Sequence, residues 1–206
     1  MEESRTMTSS VPFTAVLTCH RDTYSQAVRR IEARIGWREV GVLAVTYTLE
    51  GDIKRLCIPR SQPPRPTDGL WRHTCFEAFV AVKGKPEYYE FNFSPSRAWA
   101  AYGFRRYRDR APLEDRAPAP RICVRRAGAR LDLDAIIHLP GLSMMAHDAC
   151  LSVGLSAVIE EENGVLSYWA LKHPRGKPDF HHRDAFALDI EPHDEEMLNE
   201  GRLEKR

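Results

Sequence analysis

Two alternating segments joined by a tight turn constrain the fold of this chain more than any other feature. Residues 71–82 (WRHTCFEAFVAV) and 87–93 (EYYEFNF) are rich in aromatic and aliphatic side chains, and a Lys-Gly-Lys-Pro turn separates them. Such segments on either side of a glycine-containing turn are typical of an antiparallel β-hairpin. A turn about Gly84-Lys85 pairs residues whose numbers add up to about 169.

This register assigns the side chains of the hairpin to two different faces. Successive strand residues point to opposite sides, so Cys75, Glu77 and Phe79 share one face. Across the turn, Glu77 lies opposite Asn92, and Glu90 lies opposite Phe79. The face is therefore a mixed row of carboxylates, an amide and rings. Such a row suits a polyol-binding surface, and it equally suits a face exposed to solvent.

The rest of the chain predicts further short strands and one helix. Strands are predicted at residues 11–20, 37–50, 53–58, 97–107, 121–126, 129–137, 150–159 and 165–172. Residues 22–35 predict a helix, because Ala27, Ile31 and Ile35 form an i, i+4 apolar stripe that Gly36 ends.

Short strands dominate this pattern, which therefore predicts an all-β chain, an antiparallel β-sandwich or jelly roll with one N-terminal helix. The proline-rich segments at 59–69 and 108–120 are interpreted as surface connections. One domain is expected at residues 12–190, followed by a charged tail at 191–206.

Composition favours a soluble chain in a reducing compartment. The 206 residues include 43% apolar side chains and 30 basic against 29 acidic residues, so a nucleic-acid partner is not expected. The five cysteines are widely spaced, without a C-x-x-C pair, and no apolar run is long enough for a membrane span. The N-terminus has no signal-peptide core. We expect a cytoplasmic protein without a membrane partner, and the oligomeric state stays open.

Three segments together resemble a known group of domains: LWRHTCFEAFVAV, YYEFNFSPSRAWAAYGFRRYR and SYWALKHPRGKPDFHHRDAF. They resemble bacterial DOMON-like domains, a group similar to family-nine carbohydrate-binding modules, whose relatives bind sugars or haem on a β-sandwich. The resemblance implies a non-catalytic module that binds a small molecule, most simply a saccharide. It also implies a slot in which Trp71 and Trp169 enclose the sugar. The residues implied to orient the ligand are Glu77, Asn92 and Arg97, with His73 and Lys172 at the rim.

Other functions are kept open beside the saccharide. Haem would need axial ligands, which Met144, Met145 or His147 could supply together with His73, Lys172 or His173. A metal-dependent enzyme is a further alternative, because residues 172–184 contain three histidines and two aspartates, although without regular ligand spacing. Glu77 and Glu90 could form a glycosidase pair. An interaction module would instead show a contiguous exposed aromatic patch. The sequence assigns no catalytic residue, no metal and no required cofactor.

Overall fold

The computed structural model describes residues 12–113, 118–139 and 149–192. In these residues the chain forms thirteen strands and three single-turn 3-10 helices, at Ile53–Arg55, Leu70–Arg72 and Arg183–Ala185. The strands are β1 (Phe13–Cys19), β2 (Val28–Glu39), β3 (Val42–Gly51), β4 (Arg65–Pro66), β5 (Cys75–Val82), β6 (Tyr88–Phe93), β7 (Ala98–Arg106), β8 (Asp109–Ala111), β9 (Arg121–Ala127), β10 (Arg130–His138), β11 (Leu151–Glu160), β12 (Leu166–Ala170) and β13 (Leu188–Ile190). The prediction of an all-β chain is confirmed.

The strands form one curled sheet in the order β4-β7-β6-β5-β11-β12-β1-β2-β3-β10-β9, with β8 on β7 and β13 on β11. Neighbours are antiparallel except β4 and β7. Strand β1 joins the two halves, because Phe13 to Leu17 pair with β2 while Thr18 and Cys19 pair with β12. The sandwich or jelly-roll description stays a prediction, since the hydrogen bonding runs continuously through β1.

The main core lies between the two halves of the curled sheet. It combines inward side chains of β2, β3 and β10 with those of β5, β6 and β11. The Tyr47 ring of β3 lies 5.0 Å from the Phe76 ring of β5, and its hydroxyl donates to the Glu77 carbonyl oxygen at 2.6 Å. This buried hydrogen bond ties the two halves together directly behind the position of the Glu77 side chain.

The predicted hairpin is present with the predicted register. Strands β5 and β6 pair Glu77 with Asn92 and Phe79 with Glu90. Phe76, Ala78 and Val80 of β5 belong to the main core, while Phe79 and Ala81 belong to a smaller cluster on the other face.

The predicted N-terminal helix is wrong. Residues 28–39 form strand β2, and residues 22–27, which begin the predicted helix, form turns and bends without regular structure. An i, i+4 repeat satisfies a period of two as well as a period of 3.6, so Ile31 and Ile35 fit either element. Ala33 and Trp37, both buried, complete the alternation of a strand. Gly36 lies inside β2 instead of ending a helix, and Ile53–Arg55 is a 3-10 turn where a strand was predicted.

Candidate functional site

A cleft of about 310 Å³ opens on the face of β5 and β6 that points away from the main core. We refer to it as the cleft. Its lining residues are Trp71, Glu77, Phe79, Glu90, Phe104, Arg108, Arg110, Val158, Tyr168, Pro178, Phe180 and His181. Carboxylates therefore share one concavity with aromatic rings and arginines.

The floor of the cleft carries the polar row of the hairpin. Glu77 is 2% exposed and Glu90 is 5% exposed, and both side chains line the cleft. The Asn92 amide nitrogen donates to the Glu90 Oε1 at 2.8 Å, and the Ser156 hydroxyl donates to the Glu77 Oε2 at 3.5 Å. Among the described residues, the Glu77 Oε1 and the Asn92 Oδ1 have no hydrogen-bond partner. The floor thus holds buried acceptors that nothing in the described protein satisfies.

Burial changes how both carboxyls titrate. It raises the pKa of Glu77 well above its ordinary value, and the nearby charge of Glu90 adds to the effect while the Ser156 hydrogen bond opposes it. Burial also raises the pKa of Glu90 to about 6, against the lowering effects of the Asn92 hydrogen bond and of Arg110. Desolvation is the larger cause in each case, because a charged carboxylate loses its hydration in the floor.

One rim of the cleft is built from aromatic rings and arginines. The Trp71 ring, half-buried at the single-turn helix before β5, meets the Tyr102 ring edge-to-face at 5.8 Å. The Arg110 guanidinium lies 4.1 Å from the centre of the Tyr102 ring and 5.8 Å from that of Trp71. The Tyr102 hydroxyl donates to Asp68, whose carboxylate also lies 4.0 Å from Arg110. The cation and the acceptor hold the rim rings in place.

The opposite wall comes from β12 and from the segment that follows it. Tyr168 of β12 lies 6.1 Å from the Phe180 ring. Asp179 fixes this segment to the loop after β7, because its carboxylate accepts from the Tyr107 hydroxyl at 2.7 Å and from Arg108 at 2.8 Å. Two loops distant in the chain are thereby joined into one wall.

His181 adds a neutral imidazole next to Glu90. The Tyr88 hydroxyl accepts from the Arg108 backbone N–H at 3.1 Å and lies 2.9 Å from the His181 Nδ1. Its own hydrogen is thus free to be donated to Nδ1, which places the imidazole hydrogen on Nε2, 3.7 Å from the Glu90 carboxylate. Burial, aided by Arg108, lowers the pKa of His181 to about 4. The ring is therefore uncharged at neutral pH.

The structure brings together part of the set predicted from the sequence. Trp71 and Glu77 line the cleft, and Asn92, fully buried, supports Glu90 from the same strand. Glu90, a member of the predicted mixed row that was not among the predicted ligand-binding residues, lines the cleft as well.

The pairing of Trp71 with Trp169 needs correction. Trp169 is 6% exposed and belongs to the main core, where its indole N–H donates to the Ser167 hydroxyl at 3.0 Å. Neighbouring residues of a strand point to opposite faces, so Tyr168 is the side chain of β12 that faces the cleft. The second ring at the cleft is a tyrosine one position earlier.

The three remaining predicted residues also lie away from the cleft lining. Arg97 occupies a turn with a positive φ of 73°, and its buried Nε has no hydrogen-bond partner among the described residues. His73 bonds Glu160 at 2.8 Å and lines a different cavity. Lys172 is exposed just after β12. Each of these three residues lies at a turn or just beyond a strand or helix end, where the chain changes direction. Closeness in sequence to Trp71 or Trp169 therefore does not predict closeness to the cleft.

Sequence reasoning missed Arg108, Arg110, Tyr168 and Phe180. The alternation of β12 identifies Tyr168 once its register with β11 is known, because Val158 pairs with Tyr168 and both line the cleft. The two arginines both lie in the segment 108–120, which the sequence pattern indicates to be an irregular connection, and no local pattern marks them.

The described residues bear on the metal alternative but not on the haem alternative. The described residues contain no group of three or more side chains placed to hold a metal ion. In segment 172–184, His173 Nε2 lies 2.8 Å from the Thr18 carbonyl oxygen and the His182 Nδ1 accepts from the Asp184 N–H. The haem alternative stays a prediction, since Met144, Met145 and His147 lie outside the described residues. In the described ranges, no helix has the length and apolar character needed to cross a membrane.

Comparison with known proteins relates the chain to carbohydrate-binding proteins through its fold. No protein-family model matches the sequence, and no curated protein matches it. A Bacteroides uniformis protein provisionally described as carbohydrate-binding superposes with a TM-score of 0.55 at 13% identity, covering 87% of this chain and 85% of its own. A family-nine carbohydrate-binding module from Caldicellulosiruptor kristjanssonii, in complex with cellotriose, gives 0.52 at 8% identity, covering 87% and 84%. At these identities the likeness shows the fold, so the resemblance to family nine is confirmed at that level, and the relation to DOMON-like domains stays a prediction.

Proposed function

We propose that the chain binds a saccharide in the cleft, without transforming it. The observation that carries the proposal is the half-buried Trp71 ring at the mouth of a cleft whose floor holds buried Glu77 and Glu90. A flat ring packs against the C–H face of a pyranose, while buried acceptors take hydrogen bonds from its hydroxyls. The Tyr168 and Phe180 rings supply the facing wall. The bound cellotriose of the family-nine module supports the same class of ligand for this fold.

Affinity in the micromolar range or weaker is expected. Each hydrogen bond to a neutral hydroxyl contributes about 0.5–1.5 kcal/mol net, and part of this is offset by ordering the ligand. Ring packing adds a contribution of about the same size as one such bond. A single tryptophan platform should therefore account for a measurable share of the binding free energy.

The test is calorimetric titration of the full chain with a saccharide panel that includes cellotriose. Trp71→Ala should weaken binding at least about tenfold, which corresponds to about 1.4 kcal/mol, and Trp71→Phe should retain part of the affinity. Tyr24→Ala is the matched control, because Tyr24 is 74% exposed and outside the cleft lining. If no saccharide binds, or if Trp71→Ala binds as the unaltered chain does, the proposal is refuted.

A further inference from the structure

The floor of the cleft is short of hydrogen-bond donors. Its acceptors are the carboxylates of Glu77 and Glu90 and the amide oxygen of Asn92, all at least 95% buried. With Glu77 ionised, the side-chain donors are the Ser156 hydroxyl, at the limiting distance of 3.5 Å, and the Asn92 amide, already bound to Glu90. The His181 Nε2 lies 3.7 Å from the Glu90 carboxylate, beyond hydrogen-bond distance. The Glu77 Oε1 and the Asn92 Oδ1 accept no hydrogen bond from the described residues. Buried acceptors without donors are costly in an empty site, and a ligand that supplies donors removes the cost.

Glu77 also has no positive charge beside it, whereas Arg110 and Arg108 act on Glu90 from the rim and lower its pKa. No ion pair with Glu77 is found in the described ranges, and no basic group is among the causes acting on its pKa. The imidazole nearest Glu90 is His181, which burial keeps neutral. At the rim, by contrast, Arg108 is paired with Asp179 at 2.8 Å, and Arg110 lies over the Tyr102 ring with Asp68 at 4.0 Å.

Building on the proposed function, we propose that the preferred ligand is an amino sugar whose ammonium group lies on the floor against Glu77 and Glu90. An ammonium carries three N–H donors and one positive charge, whereas a hydroxyl in the same position offers a single donor. An ammonium therefore supplies both the hydrogen-bond donors and the positive charge that the floor lacks. An acetamido group matches neither, because it is neutral, bulkier and has one N–H. Charge-assisted hydrogen bonds are roughly twice as strong as neutral ones, which gives the amine its advantage.

Binding of an ammonium should also change the protonation state of Glu77. In the empty cleft, burial and the neighbouring Glu90 favour the protonated form of Glu77. An ammonium beside it favours the carboxylate, so the carboxyl proton leaves to the buffer as the ion pair forms. In a titration at a pH below the pKa of the free amine, where the ligand already carries its ammonium proton, amine binding should therefore release protons, while a neutral sugar should release fewer. Calorimetry in two buffers of different ionisation enthalpy measures this difference directly.

The decisive comparison uses three β-1,4-linked trisaccharides that differ at carbon 2: cellotriose, its glucosamine counterpart and the N-acetylglucosamine counterpart. The glucosamine trisaccharide should bind the full chain at least tenfold more tightly than the other two, with proton release. Glu77→Gln, nearly isosteric, should bring the three affinities within about threefold of one another. Glu87→Gln, an exposed glutamate just before β6, is the matched control and should leave the preference intact.

The outcomes separate this inference from the proposed function. If cellotriose binds as tightly as the amine, or if the amine preference survives in Glu77→Gln, the amino-sugar inference is overturned and saccharide binding stands. If no saccharide of the panel binds, both are overturned. Should Glu77→Gln fail to fold, the affinity ratio and the proton release of the unaltered chain decide the matter.

Discussion

Replacing Glu90 by glutamine tests the cost of keeping a second buried carboxyl beside Glu77 in the cleft. Burial raises the pKa of Glu90 to about 6 from an ordinary value of 4.5. Because a tenfold change in proton affinity corresponds to about 1.36 kcal/mol, these values predict an effect of about 2 kcal/mol. The folded chain binds this proton more tightly than the unfolded chain, so the stabilising contribution is complete below pH 4.5 and is lost as the pH rises through 6. Glu90→Gln carries no charge and keeps the oxygen that accepts from Asn92, so it escapes this loss.

The assay is urea unfolding of both proteins, followed by tryptophan fluorescence from about pH 4 to about pH 8. The free energy of unfolding of Glu90→Gln should equal that of the unaltered chain at the acid end and exceed it by about 2 kcal/mol above pH 6. His181 acts in the opposite sense, because its pKa of about 4 removes stability as the pH falls below its ordinary 6.5. Glu90 is not among the causes acting on the pKa of His181, so both proteins should share that contribution and it should largely cancel in the difference. Glu87→Gln should give a flat difference, and a Glu90→Gln difference that is flat or grows towards acid refutes the reasoning.

Three further substitutions test the placement of individual residues in the fold. Trp169→Ala should lower the free energy of unfolding by about 3–5 kcal/mol, because it empties part of the main core; a change below 1 kcal/mol in urea unfolding would contradict its placement. Tyr168→Ala, one residue earlier, should cost less stability and weaken saccharide binding in calorimetry, and unchanged affinity would remove this ring from the proposed site. Gly51→Ala should destabilise the chain by more than about 1 kcal/mol, since its methyl group would lie 2.1 Å from the Ala27 carbonyl oxygen. An unchanged urea midpoint would show that the backbone there can move aside.

The hairpin of β5 and β6 was predictable because its determinants are local. The Gly84-Lys85 turn fixes which residues pair, and the pairing fixes which side chains share a face. Glu77, Asn92 and Glu90 therefore had a predictable arrangement before anything was known of the rest of the fold. The hairpin alone could not indicate that this row is buried, because a mixed row of polar and aromatic side chains suits a solvent-exposed face equally well.

The segment that became β2 shows why local periodicity can mislead. Ile31 and Ile35 are four residues apart, a spacing common to both kinds of element, and Gly36 next to them imitates a helix stop. The evidence for a strand lay in the buried residues between and beyond them, Ala33 and Trp37. Their contribution depends on packing against β3 and β1 on either side, which the segment's own sequence does not contain.

The walls of the cleft depend on contacts between distant parts of the chain, and this is why the second ring was assigned one residue too far along. The alternation of β12 places Tyr168 and Trp169 on opposite faces, but only the pairing of Tyr168 with Val158 of β11 decides which face is the cleft. The same holds for Arg108, which lines the cleft while bonded to Asp179, 71 residues away. The chemistry of the floor is therefore encoded in one hairpin, whereas the shape of the walls is a property of the whole fold. Substitutions in the floor should accordingly change which ligand group is preferred, and substitutions in the walls should change how tightly any ligand is held.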